Sequence, residues 1–122
     1  MSFEKFEKMS VRTGRKPAVS VMRGGRLALN GGCLAAFMPG ATHVHLYFDA
    51  KEKRIGLKPL SAKEKDADAF SLIGTRRSRA RFVQAVGFLR HHGAIPEKTL
   101  RFEPYRDEKS GLVVVDLRKP LA

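Results

Sequence analysis

His43-Val44-His45-Leu46-Tyr47-Phe48-Asp49 and Arg54-Ile55-Gly56-Leu57-Lys58-Pro59-Leu60 flank the polar stretch Ala50-Lys51-Glu52-Lys53. Val44, Leu46 and Phe48 alternate with polar neighbours, and residues 54–60 alternate again, so both runs have the two-residue period of a strand with one buried face. Two such runs joined by a short polar turn predict a β-hairpin. Upstream, Ala18-Val19-Ser20-Val21-Met22 reads as a strand that ends at Arg23-Gly24-Gly25-Arg26, with Arg26-Leu27-Ala28-Leu29 returning. Paired glycines reach positive φ at little cost, which suits a tight turn. Asn30 is the expected N-cap of a helix over 30–38, stopped by Pro39-Gly40.

Downstream, Ser61 to Asp68 reads as a charged, solvated connector and Phe70-Ser71-Leu72-Ile73 as a short strand. Gly74-Thr75-Arg76-Arg77-Ser78-Arg79-Ala80-Arg81 follows as an arginine-rich turn. Phe82, Val83, Val86, Phe88 and Leu89 have helical spacing, which predicts a helix over 80–92 with Gly93 as its C-cap. A second hairpin is expected with arms 99–106 and 112–117 around Asp107-Glu108-Lys109-Ser110-Gly111. The expected class is α+β, antiparallel hairpins with two helices in one domain over 1–122. The two stretches 17–60 and 69–118 share a β-β-α-β-β order, which suggests an internal duplication about a linker at 61–68. A unit of that size cannot bury a core alone, whereas two can complete one another. One mixed sheet without symmetry is the alternative.

The chain has 122 residues, 24 Lys+Arg and 12 Asp+Glu, for a formal charge of +12. Residues 1–60 hold 11 basic and 4 acidic residues and residues 61–122 hold 13 and 8, so the surplus belongs to both halves. Such a surplus speaks about partners rather than fold, and nucleic acid is the expected polyanion. No apolar run approaches the roughly 18–20 residues that span a bilayer, so a membrane partner is not expected. The single Cys33 and the polar N-terminus fit a reducing cytoplasm, or the nucleoid for a DNA-binding protein. No nucleophile elbow, phosphate loop or paired metal-binding carboxylates stand in the sequence, so neither an enzyme nor a cofactor is expected. His43-x-His45 and His91-His92 would need further ligands to hold zinc, and Cys33 is expected in the core.

The segment from Val19 to Pro59, with its strand, Arg23-Gly24-Gly25-Arg26-Leu27-Ala28-Leu29 turn and return, short helix and closing hairpin, resembles the AbrB/MazE swapped-hairpin family. Members are small dimeric DNA-binding domains, many of them transcription regulators or antitoxins. The resemblance implies DNA contacts from Arg23 and Arg26, with Arg15 and Lys16 beside them. It implies either a homodimer or, if the halves are duplicated, a monomeric pseudo-dimer. In the second half, Arg76, Arg77, Arg79 and Arg81 occupy the corresponding turn, and guanidinium groups bind phosphate bidentately. Tyr47, out of phase with the apolar face of its strand, is the candidate for stacking on an unpaired base. The expected function is DNA binding and transcription regulation through an arginine and lysine clamp on phosphates. A Whirly- or coactivator-like single-strand binder and an antitoxin-like protein-interaction module are the alternatives.

Overall fold

The structure, a computed structural model, describes residues 16–74 and 77–121. Arg15 and Arg76 lie outside the described residues. Two antiparallel sheets carry the chain. The first has the order β6-β2-β1-β7, formed by β1 (Val19–Val21), β2 (Arg26–Leu29), β6 (Arg81–Gln84) and β7 (Leu100–Phe102). The second has the order β5-β3-β4-β9-β8, formed by β3 (His43–Asp49), β4 (Arg54–Leu60), β5 (Phe70–Ser71), β8 (Tyr105–Arg106) and β9 (Val113–Asp116). Two helices, α1 (Gly31–Phe37) and α2 (Val86–His91), follow β2 and β6.

Alternation builds the core as the sequence predicts. Val19, Val21, Leu27, Leu29, Val44, Ile55, Leu57, Val83, Phe102, Val113 and Val115 turn inward from both sheets into one buried cluster. Each fully buried aliphatic side chain there contributes about 2 kcal/mol. The β3–β4 hairpin keeps its register from His43↔Leu60 to Asp49↔Arg54. The sheets are also stitched together along the chain. After β5, Ile73 bridges to Phe82 of β6, and after β7 the chain bends at Glu103-Pro104 into β8 of the other sheet. One bridge and one continuous bent segment thereby link the two sheets.

Two expectations change. The helix predicted over 80–92 divides into strand β6 and helix α2. Its residues Arg81–Gln84 pair with the edge of β2, with Leu27↔Val83 and Ala28↔Phe82 in register, so Val83 enters the core and Phe82 faces outward. The second hairpin is interrupted at buried Pro104, which has no N–H for a ladder, so its first arm is the bent pair β7 and β8. Other boundaries hold: Asn30 caps α1, and α2 ends as expected at Gly93, whose φ is 63°. There the Gly93 N–H donates to Arg90 O at 3.1 Å and the Ala94 N–H to Leu89 O at 2.8 Å, a Schellman closure.

Candidate nucleic-acid interface

The first arginine turn is a three-residue loop, 23–25, closed by Met22 and Arg26. The Met22 N–H donates to Arg26 O at 2.8 Å and the Gly25 N–H to Met22 O at 2.9 Å. Gly25 has φ 90°, and a Cβ on it would lie 2.5 Å from Val86 Cβ, so the turn is pressed onto the first residue of α2. Only glycine satisfies both the dihedral and the clearance. Arg23 is exposed at the tip. Since Leu27 and Leu29 point inward, Arg26 and Ala28 point outward, and the Arg26 guanidinium lies over the Phe82 ring, 4.7 Å from its centroid. Across β1, Ser20 pairs with Arg101, which shares this outer face and is exposed.

The second arginine loop runs into β6 at the other end of the β2–β6 pair. Leu29 pairs with Arg81 there, whereas Arg26 pairs with Gln84 at the first turn. Three strand rises separate the two ends by about 10 Å. Arg79 packs on α1, its Cβ 3.1 Å from where a Cβ on Gly31 would stand. Arg81 shares the inward side, and its Nη1 donates to Ser78 O and Ala80 O, both at 2.9 Å. With Leu34, Ala35 and Pro39, Arg79 and Arg81 line a hollow of about 350 Å³. Arg77 is exposed. Lys16 joins this end, because Asn30 Nδ2 donates to Lys16 O at 3.0 Å. The two arginine turns expected to make one phosphate clamp are therefore divided between opposite ends of the β2–β6 pair. Arg79 and Arg81 meet beside α1, with Arg81 holding its own loop together, and Arg23 and Arg26 sit by α2.

Charge is segregated between the two layers. Segments 16–30, 77–84 and 99–104, which build the first sheet, hold seven basic residues (Lys16, Arg23, Arg26, Arg77, Arg79, Arg81, Arg101) and one acidic residue, Glu103. Segments 43–72 and 105–119, which build the second, hold ten basic and eight acidic residues. Ion pairs thread the second layer. Arg54 meets Asp49 at 2.8 Å, Arg118 meets Glu52 at 3.0 Å and Asp116 at 3.1 Å, and His45 lies 2.9 Å from Asp66. Hydrogen bonds from Arg54 and Arg118 hold the Asp49 and Asp116 carboxyls below the usual carboxylate range. Among the described residues, no carboxylate lies within ion-pair distance of Arg23, Arg26, Arg77, Arg81 or Arg101.

Tyr47 stands apart from the arginines. It lies on the second sheet, 46% exposed, in the cross-strand row Tyr47, Gly56, Val114, Tyr105. His43 Nδ1 lies 2.8 Å from Thr42 Oγ1 while His45 turns to Asp66, and no trio of metal-binding side chains gathers among the described residues. Burial pushes the Cys33 thiol up to about 12, so it stays protonated within the core. No helix among the described residues is long and apolar enough to cross a membrane. Comparison with protein-family models, curated proteins and solved structures finds no match for this chain. Sequence reasoning missed Arg101 and Gln84. The outward phase of a short strand was the only local signal for either.

Proposed function

We propose that this chain is a nucleic-acid-binding protein, a DNA-binding transcription regulator, which presents the outer face and turns of its first sheet to phosphates. The observation that carries the reading is the charge segregation: seven cations to one carboxylate in one layer, a near balance in the other. A one-sided excess concentrates the attraction for a polyanion where counterion release is strongest. Arg23, Arg77 and Arg101 act as exposed phosphate contacts, Lys16 and Arg79 extend the contact toward α1, and Arg81 shapes the loop that presents them. Arg15 and Arg76 belong to the same proposed set.

The pairing pattern supports the swapped-hairpin likeness and a duplicated architecture. β1 pairs with β2 as Ile73 pairs with β6, β3 with β4 as β8 with β9, and β1 with β7 as β5 with β3. The pairs β2·β6 and β4·β9 join corresponding strands, as a two-fold relation requires. Each arginine turn also abuts the helix start of the other half. On this reading the chain is a monomeric pseudo-dimer.

Fluorescence anisotropy with a labelled duplex over a salt series tests the function. Arg23→Ala, Arg77→Ala and Arg101→Ala together should flatten the log–log salt slope by about 2–3, near 0.9 per lost phosphate contact. Lys51→Ala, Lys63→Ala and Lys65→Ala remove the same charge from the second layer and should leave the slope unchanged. Equal effects from both triple variants would overturn the assignment of the face. Single-strand binding is the second reading, favoured by Phe82 on the first sheet and the 48% exposed Ile73 that bridges to it. Competition between matched single-stranded and duplex oligonucleotides separates the two.

A further inference from the structure

We propose that Arg26 and Gln84 form a base-reading pair, with Arg26 taking a guanine edge and Gln84 a neighbouring adenine edge. The inference rests on the nucleic-acid reading above and assigns its sequence preference. The two residues are direct cross-strand partners in the β2–β6 register. Both face outward, since their neighbours Leu27 and Val83 are buried. Directly opposite side chains have Cβ atoms about 5 Å apart. That spacing is about one and a half times the roughly 3.4 Å between successive bases on one strand, within the reach of two long side chains converging on adjacent positions.

The Arg26 guanidinium is held by a ring of the neighbouring strand. Its Cζ lies 4.7 Å from the Phe82 centroid, a contact that limits how far the fork can swing. Among the described residues its N–H groups have no hydrogen-bonded partner. A stacked guanidinium keeps its five donors in one orientation, so less freedom is lost when a bidentate contact forms. The fork offers the two donors that guanine O6 and N7 accept. Gln84 is exposed, and its amide offers the donor and acceptor that match adenine N7 and N6. A neutral amide releases no counterion, so Gln84 adds nothing to the salt dependence of binding. Its value amid arginines lies in selection. Ala28, between Arg26 and the end of β2, adds no bulk to obstruct a base edge. Strands hold such side chains more firmly than turns do, so the turns supply the phosphate grip and the strand pair supplies the choice.

The experiment selects duplexes from a pool randomised at its central base pairs, then measures affinities of the winners and single-base variants. The wild-type protein should favour adjacent guanine and adenine, each worth about tenfold. Arg26→Lys keeps the charge and the salt slope but should lose the guanine preference. Gln84→Ala should erase the adenine preference, and Gln84→Glu should move it toward cytosine, whose N4 donates to a carboxylate. Thermal melts of each variant confirm that it is folded, and the Gln84 series stands independently of the Arg26 variant. Binding without base preference, or preferences unchanged in both Arg26→Lys and Gln84→Ala, overturns this proposal while leaving the phosphate-binding face intact. Failure to bind any duplex or single strand overturns the nucleic-acid reading itself.

Discussion

Asn30 joins three segments with one amide. Its Oδ1 accepts from the Cys33 N–H at 2.8 Å, capping α1, and from the Ala18 N–H at 3.0 Å, while Nδ2 donates to Lys16 O at 3.0 Å. The sequence marks Asn30 as a cap, and the structure adds that the same side chain clamps the entry to β1. Asn30→Ala removes both acceptors and leaves the Ala18 N–H, on a buried residue, without its partner. The expected loss is about 1–2 kcal/mol, toward the upper end because of the orphaned donor, measured by urea unfolding. Asn30→Asp keeps both acceptors and loses only the bond to Lys16 O, so it should recover most of that stability. Equal losses in the two variants would mean that the amide donor, not the cap, carries the effect.

At the level of elements, α2 depends on what it packs against. It has six residues and no side-chain cap at Ala85, so an isolated helix of this length would not form. Leu89 anchors it in the core, and a ring cluster fastens it to β3: His92 stacks on Phe48 at 4.3 Å and meets Phe88 edge-on at 5.0 Å. Desolvation, with a smaller contribution from the neighbouring His91 charge, lowers the His92 pKa below its ordinary value. The unfolded chain then binds a proton that the folded chain resists, so stability is full above the unfolded pKa of about 6.5 and declines as pH falls below it. Thermal melts from pH 8 to 5 should show that decline, and His92→Phe should remove this part of it while preserving the ring contacts. An unaltered profile in His92→Phe would assign the decline to other groups. The helix itself shows which features the sequence makes legible. The β3–β4 hairpin was readable because seven residues alternate on each arm, and Gly93 because a helix end favours that dihedral. Strand β6 was not, because Phe82, Val83, Val86 and Leu89 also fit a helical stripe. The deciding partner is the edge of β2, more than fifty residues away. Arg101 and Gln84 escaped for the same reason, since cross-strand register, and not local spacing, places them on the outer face.

Across the whole molecule, the even charge of the two halves along the chain becomes an uneven charge between two layers, because each half contributes strands to both. Of the seven strand pairings among the described residues, β1·β7, β2·β6, β3·β5 and β4·β9 join residues before and after the 61–68 connector, while β1·β2, β3·β4 and β8·β9 stay within a half. Separating the halves would expose the inward faces of β2 and β4, with Leu27, Leu29, Ile55 and Leu57 now fully buried. It would also strip both strands of a hydrogen-bonded neighbour. Neither half should therefore melt cooperatively on its own. Peptides 1–64 and 65–122, cut within the exposed connector, should each lack a thermal transition at micromolar concentration and combine one-to-one into a species with the far-UV spectrum of the intact chain. Sedimentation separates a duplicated architecture from an unsymmetric one. If β2·β6 and β4·β9 join equivalent strands, peptide 1–64 can pair β2 with β2 and β4 with β4 in a second copy, and should gain structure with concentration as a homodimer. A folded monomeric half would contradict the shared core, and a first half that stays unfolded at every concentration would remove the case for equivalence.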